Sequence, residues 1–125
     1  MPIIDIELVC HSESELSAVS VHALADALGT ALSTVPGRTW VRMRYLGSNA
    51  FAENQISSAD IAAKGLPVFV TVLVTRPPEM PARATAIKTI TAVVAACVGR
   101  SPDRVHVQYA PAAAGRQAFG GKLVQ

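Results

Sequence analysis

The amino-acid sequence predicts an α+β fold, in which two tandem β-α-β repeats form one four-stranded mixed sheet with two helices on one face. Pro2 and Pro67 each stand directly before a run of strand-forming residues. The pentapeptide V-R-M-R-Y at 41–45 has a counterpart, V-H-V-Q-Y, at 105–109. Because a single β-α-β unit cannot bury its own helix, two such units of equal length are expected to share one sheet.

The first repeat reads as strand, helix and strand. Residues 2–9 alternate between apolar and acidic side chains, which is typical of a half-buried strand. Ser12 stands three residues before Glu15, the spacing of a capping box that begins a helix. An apolar stripe runs along this helix through Leu16, Leu24, Leu28 and Leu32. Pro36-Gly37 ends the helix, and residues 39–46 form the second strand.

The second repeat follows the same plan. Residues 67–74 are almost continuously apolar, which indicates a strand buried on both faces. Pro81 suits a first helical turn, and Gly99 suits the left-handed position that ends a helix. The stripe between them consists of Ile87, Ile90, Val94 and Cys97. Residues 104–110 are the last strand, parallel to the third because a helix crosses over between them.

Length and composition favour one globular domain over residues 1–125, with repeat one at about 1–60 and repeat two at about 61–125. Half of the residues are apolar and 16% are charged, so the chain can bury a sizeable core. The net charge of +2, without a run of Lys or Arg, gives no reason to expect a nucleic-acid partner. We expect neither a membrane span nor a signal peptide, and therefore a cytoplasmic location. No ligand spacing for a metal occurs, so no metal is expected.

The strand alternation also predicts what lies on the sheet face opposite the helices. That face combines acidic, basic and aromatic side chains: Asp5, Glu7, Trp40, Arg42, Arg44, His106 and Gln108. A face of this mixed kind suggests further burial by oligomerisation.

Pro2 is the residue whose chemistry the sequence singles out. If Met1 is removed, which a small second residue generally permits, the Pro2 nitrogen becomes a secondary amine. Apolar surroundings and neighbouring arginines both disfavour a protonated amine, so both lower its pKa. An amine with a pKa near neutrality is a competent general base. The nitrogen of Pro67 is locked in an amide, so Pro67 can only start a strand.

The stretch S-P-D-R-V-H-V-Q-Y-A-P-A-A-A-G-R-Q-A-F-G-G at 101–121, together with Pro2 and the duplicated frame, resembles the tautomerase superfamily. Short members such as 4-oxalocrotonate tautomerase (4-OT) have one β-α-β unit per chain and form hexamers. Longer members, including 5-carboxymethyl-2-hydroxymuconate isomerase and macrophage migration inhibitory factor, have two units and form trimers. This chain resembles the longer kind, which implies a homotrimer.

The resemblance implies a cofactor-independent isomerase in which Pro2 moves a proton during keto–enol or double-bond isomerisation. The implied substrate is a small 2-oxo acid, whose carboxylate needs a cationic partner such as arginine. Arg42 lies on the second strand, where short members carry a substrate-binding arginine, and Arg44 shares its face. Arg76 follows the third strand, close to where the other arginine of the family follows the first strand.

Two aromatic residues are expected near Pro2, and two alternative functions remain open. Trp40 and Phe51 are expected to wall an apolar pocket that desolvates the Pro2 amine. One alternative is a proline-dependent decarboxylase or dehalogenase-type hydratase, which needs an acid near Pro2, and Asp5 and Glu7 are the nearest in sequence. The other is a non-catalytic trimeric binding module that retains Met1. The proton donor and the removal of Met1 stay open at this point.

Overall fold

The computed structural model describes residues 2–125, and the expectations that depend on Met1 lie outside them. A four-stranded sheet forms the centre of the molecule. Its strands are β1 (Ile3–Cys10), β2 (Trp40–Gly47), β3 (Val68–Leu73) and β4 (Val105–Tyr109). They lie in the order β2-β1-β3-β4, with β1 parallel to β2, β3 parallel to β4, and β1 antiparallel to β3. The predicted fold class and the parallel pairing within each repeat are confirmed.

Two long helices, α2 (Val21–Ala31) and α4 (Ala82–Val98), pack against each other and against one face of the sheet. Short helices α1 (Glu13–Ser17) and α3 (Ser58–Lys64) precede α2 and β3. The helix-facing side chains of β1 are almost completely inaccessible to solvent, as are those of β3. They form one core with Leu24, Leu28, Ile90 and Val94 of the helices. Among the helices that the structure describes, none has the length and hydropathy needed to span a bilayer.

The first predicted helix is interrupted, and only its second part, α2, begins with a serine side-chain cap. The Ser12 hydroxyl bonds the Ser14 hydroxyl at 2.8 Å instead of capping α1, so the predicted capping box is incomplete. Ser20 accepts a hydrogen bond from the Ala23 amide at 3.1 Å and begins α2. Serine offers the backbone such local partners, which compete with helix continuation. The Gly99 end of α4 is confirmed, with a left-handed φ of 68°.

The sheet face away from α2 and α4, called the open face below, carries the side chains that strand alternation predicted for it. Trp40 is 46% exposed, and Arg42 and Arg44 are exposed as well. One end of the open face is covered, since Ile61 of α3 and Leu66 pack against Val9 at the end of β1. The prediction placed helices on one face of the sheet only, and α3 is an additional helix that covers part of the opposite face.

The last residues form a small hairpin of their own, outside the main sheet. Its strands are β5 (Ala118–Phe119) and β6 (Lys122–Leu123), with the turn at Gly120-Gly121. Both glycines have positive φ, which favours glycine over residues with a side chain. Backbone hydrogen bonds from Gly115 to Val124 and from Val124 to Gln117 close the hairpin.

Candidate active site

Pro2 is buried at the beginning of β1, which is an inner strand of the sheet. Its carbonyl oxygen accepts a hydrogen bond from the Trp40 amide at 3.0 Å, at the start of β2. On the other side, Ile3 lies opposite Leu73 at the end of β3. The residue is therefore enclosed by the start of one neighbouring strand and the end of the other.

Arg76 lies at this same end of the sheet, because β3 runs antiparallel to β1 and ends beside Pro2. Its side chain is exposed, and its Nη1 lies 3.5 Å from the carbonyl oxygen of Gln125. This contact is longer than an ordinary N–H···O hydrogen bond of about 2.9 Å, so it engages the guanidinium weakly. The structure thus brings to the Pro2 end a cation that pairs with no Asp or Glu side chain within residues 2–125.

Trp40 forms an aromatic wall at the Pro2 end, and its partner is Phe119 of the hairpin. The two ring centroids are 5.5 Å apart with perpendicular planes, the edge-to-face geometry that aromatic pairs prefer. The Trp40 Nε1 donates to the Gly37 carbonyl at 3.0 Å, which fixes the indole. Phe119 was not predicted. The repeat carried a signal for it, since Phe51 and Phe119 both follow the second strand of their own repeat.

Arg42 is engaged within the chain by Asp5. Its Nε and Nη2 donate to the two carboxylate oxygens of Asp5 at 2.6 and 2.8 Å, a bidentate pair. The hydrogen bond from Arg42 lowers the pKa of Asp5, with a further contribution from the Arg42 and Arg44 charges, against the opposing effect of burial. The same pair raises the pKa of Arg42. Arg42 thus forms an ion pair within its own chain.

Arg44 lies opposite Glu7 in the register of β1 and β2. Its side chain is exposed on the open face and makes no ion pair within residues 2–125. Glu7 is two residues further along β1 than Asp5. Arg44 is therefore free of an ion pair within residues 2–125. It lies further from Pro2 along the open face than Arg42 does.

Phe51 does not lie near Pro2 in the same chain. It packs in a separate apolar cluster with Val9, Ile61 and Leu66, and its ring is 5.9 Å from that of Phe69. Val9 is seven residues from Pro2 along β1, a separation of about 23 Å at the rise of a β-strand. Within one chain Phe51 therefore lies far from Pro2, and Phe119 is the aromatic residue that contacts Trp40 at the Pro2 end. That Phe51 walls a Pro2 pocket stays a prediction.

A cleft of about 260 Å³ opens next to the Pro2 end, since it reaches Leu73, the residue opposite Ile3. Its other lining residues come from the segment after β4 and include Ala113, Arg116 and Gln117. The cleft is mostly apolar with a guanidinium and a carboxamide at its margin. A small molecule with an apolar body and an anionic or polar end suits such a lining. Within residues 2–125, no three His, Cys, Asp or Glu side chains converge as a metal site would require.

No family model and no curated protein matches the sequence. Solved structures match it over nearly its whole length. A fused 4-OT described as a symmetric trimer has a TM-score of 0.70 at 13% identity, covering 98% of this chain and 94% of that one. A macrophage migration inhibitory factor from Oncomelania hupensis has a TM-score of 0.68 at 18% identity, covering 100% and 83%. A malonate semialdehyde decarboxylase has a TM-score of 0.63 at 17% identity, covering 94% and 90%.

These neighbours share one architecture, and all three carry names of the superfamily that the sequence resembles. The predicted resemblance is thus confirmed at the level of the fold: the chain has the tautomerase fold. Sequence identities of this size show the fold alone.

Proposed function

We propose that this protein is a cofactor-independent tautomerase, with Pro2 as general base once Met1 has been removed. Its substrate is a small carboxylate-bearing 2-oxo acid or its enol. One observation carries the proposal: a buried Pro2 lies at the start of an inner strand, with the exposed Arg76 guanidinium and the Trp40–Phe119 wall at the same end of the sheet. The cytoplasmic location predicted from the sequence remains a prediction.

The surroundings of Pro2 favour a neutral amine. Burial disfavours the charged form of an amine, and a guanidinium at the same end of the sheet disfavours it again. Both effects lower the pKa of a free Pro2 nitrogen toward the range in which it accepts a proton at neutral pH. The base takes a proton from the carbon or hydroxyl next to the substrate carbonyl and returns it elsewhere on the same molecule. Atoms and charge balance without any cofactor.

Arg76 is the first candidate for the substrate carboxylate, because a guanidinium binds a carboxylate through two parallel hydrogen bonds. Arg42 is a weaker candidate, since Asp5 already occupies two of its donors. Arg44 remains a candidate through its free charge on the open face. Trp40 contributes an apolar wall against which the conjugated part of the substrate packs.

A homotrimer would bury the open face, whose charged and aromatic side chains include the half-exposed Trp40. The fused 4-OT with the same fold is described as a trimer, which supports this assembly. Native mass spectrometry is expected to give three times the chain mass of 13.1 kDa. A monomer at micromolar concentration would contradict the proposed assembly and leave the catalytic proposal to its own test.

Asp5 bears on the hydratase and decarboxylase alternative. Water activation requires an acid or base that can approach the substrate. The Asp5 carboxylate is instead held in two short hydrogen bonds by Arg42, and its pKa is lowered, so it is a poor proton acceptor. This pairing favours proton transfer by Pro2 alone, that is, isomerisation, over hydration.

The test begins with mass spectrometry of the purified protein, which is expected to show Pro2 as the first residue. The rate of enol-to-keto conversion is then followed by ultraviolet absorbance with the enol of phenylpyruvate as a probe. Pro2→Ala removes the base, and we expect kcat/KM to fall by about 10²- to 10⁴-fold, the usual contribution of general base catalysis. Pro67→Ala is the matched control, since Pro67 starts the equivalent strand but has no basic nitrogen.

The controls separate catalysis from folding. Circular dichroism is expected to show the same secondary structure for both proline variants. Equal rates for wild type and Pro2→Ala would remove Pro2 from the mechanism. A retained Met1, with no turnover of any enol, would instead support the non-catalytic trimeric module.

A further inference from the structure

The duplicated frame gives the sheet a second end that is equivalent to the Pro2 end. The amide of Val9 donates to the carbonyl of Pro67 at 3.2 Å, so the end of β1 lies beside the start of β3. The segment after β1 therefore lies beside Pro67. In the same way, the segment after β3 lies beside Pro2. His11 is the counterpart of Arg76 in this arrangement, and Phe51 is the counterpart of Phe119.

A cleft of about 300 Å³ lies at this second end. It is called the Phe51 cleft here and is lined by His11, Ser48, Asn49, Phe51, Ser58, Ile61, Ala62 and Leu66. These residues come from the segments after β1 and β2, from α3, and from the residue before Pro67. The volume is at the lower end of the range of about 300–1,000 Å³ for ligand pockets, and therefore suits a small molecule.

The apolar part of the Phe51 cleft is rigid. Ile61 and Leu66 are buried at 5% and 7% exposure and belong to one cluster with Val9. The half-buried Phe51 ring is held against Phe69 at 5.9 Å. A fixed aromatic ring beside aliphatic side chains offers a flat ligand ring a preformed contact surface.

The polar part of the cleft is uncharged apart from the ionisable imidazole of His11. Ser48 and Ser58 offer hydroxyls and Asn49 a carboxamide, and no hydrogen bond within residues 2–125 occupies these side chains. They can therefore donate to and accept from a ligand.

The cations near the Phe51 cleft are already engaged. Arg100 donates to the carbonyl of Leu66 at 2.6 Å and lies 3.7 Å from the carboxylate of Glu15. Lys64 pairs with Glu53 at 3.3 Å. Apart from the His11 imidazole, a ligand carboxylate in this cleft would find no free cationic partner to replace the water it loses, which is costly. The Phe51 cleft therefore favours an uncharged ligand, whereas the ligand proposed for the Pro2 end is a carboxylate.

We infer that the Phe51 cleft is a second binding site, for a small uncharged aromatic molecule that carries a hydroxyl or carboxamide group. The ring of the ligand packs on Phe51, and its polar group bonds Ser48, Asn49 or Ser58. The nitrogen of Pro67 is an amide, so this site binds without proton transfer. The inference does not depend on Pro2 acting as a base.

The test uses the full-length ¹⁵N-labelled protein and two probes of the same shape, uncharged 4-hydroxybenzamide and anionic 4-hydroxybenzoate. We expect 4-hydroxybenzamide to cause saturable amide shifts in residues 48–62, and 4-hydroxybenzoate to cause none there. Ala62→Trp places an indole in the cleft and is expected to weaken binding at least about tenfold. Ala59→Trp, on the same short helix but outside the cleft, is expected to leave binding unchanged.

Asn49→Leu provides a second variant, which removes a polar partner and is expected to weaken binding of 4-hydroxybenzamide several-fold. Binding is expected to be the same in Pro2→Ala, which separates this inference from the proposed catalysis. Absence of saturable shifts up to the solubility of 4-hydroxybenzamide overturns the inference. So does equal binding in Ala62→Trp, or equal binding of the anionic probe in the cleft.

Discussion

Replacing Arg76 by alanine tests which guanidinium binds the substrate carboxylate. Three arginines were candidates in the sequence, but the structure gives them different surroundings. Arg76 lies at the Pro2 end and has only a long contact with the Gln125 carbonyl. Arg42 is held by both carboxylate oxygens of Asp5. We therefore expect kcat/KM to depend strongly on Arg76 and weakly on Arg42.

The expected magnitude follows from the kind of bond and its exposure. A hydrogen bond to a charged group contributes about 1.5–3 kcal/mol, and exposure to solvent places Arg76 toward the lower part of this range. A loss of about 1.5–2 kcal/mol corresponds to a fall in kcat/KM of about 10- to 30-fold. The loss is expected mainly in KM if the carboxylate is bound equally in the ground state and in the transition state.

The comparison variant changes Arg42 without exposing an uncompensated carboxylate. Arg42→Gln alone would leave Asp5 unpaired near the substrate and would confuse the result. The double variant Asp5→Asn/Arg42→Gln removes both charges together and keeps the net charge. We expect it to lower kcat/KM by less than about threefold, as for loss of an exposed ion pair.

The assay is the enol-to-keto conversion described above, run at two ionic strengths because salt screens exposed charges. Lys88→Ala removes one positive charge from the exposed side of α4 and serves as the charge control. The reasoning is refuted if Arg76→Ala matches Lys88→Ala, or if the double variant loses more activity than Arg76→Ala. The second outcome would place the carboxylate on the open face.

Three further predictions concern stability. Leu28→Ala empties a fully buried position between helix and sheet and is expected to lower the free energy of unfolding by about 2–5 kcal/mol, measured by urea denaturation. Gly99→Ala forces a side chain into a left-handed conformation, and thermal unfolding should show a loss of about 1 kcal/mol. Because the hydrogen bond from Arg42 lowers the pKa of Asp5 in the folded state, the pair stabilises the protein above the unfolded pKa, and the effect is lost as the pH falls through the folded pKa. Unfolding curves of Asp5→Asn should accordingly depend less on pH in the acidic range than those of the wild type.

The positions of the strands along the chain and their faces could be predicted from sequence because they depend on periodicity and repetition. The matched pentapeptides at 41–45 and 105–109 located β2 and β4, and alternation assigned Arg42 to the open face. The helix break was missed, because the apolar stripe continues across it while the Ser20 side chain caps a new helix. Local hydrogen-bond competition of this kind is decided by differences of about 1 kcal/mol.

The placement of the aromatic residues required the topology. Phe51 follows β2, and a reader of the sequence cannot tell which end of the sheet that segment covers. The antiparallel pairing of β1 with β3 decides this, because it brings each strand end beside the proline of the other repeat. Phe119 thereby comes to the Pro2 end and Phe51 to the Pro67 end. Pairwise strand order is a long-range property that residue patterns constrain only in part.

The two ends of the sheet show how one duplicated backbone can hold two different chemistries. Both repeats have apolar side chains at the helix-facing strand positions, where smaller residues would leave cavities in the shared core. The segments after the strands differ between the repeats, and these set the charge at each end: Arg76 at the Pro2 end, and His11 at the Pro67 end. An amine that must stay neutral gains from a nearby cation, whereas an amide nitrogen does not. The proposed mechanism therefore requires no cation at the Pro67 end, where the cleft offers an anion only the His11 imidazole.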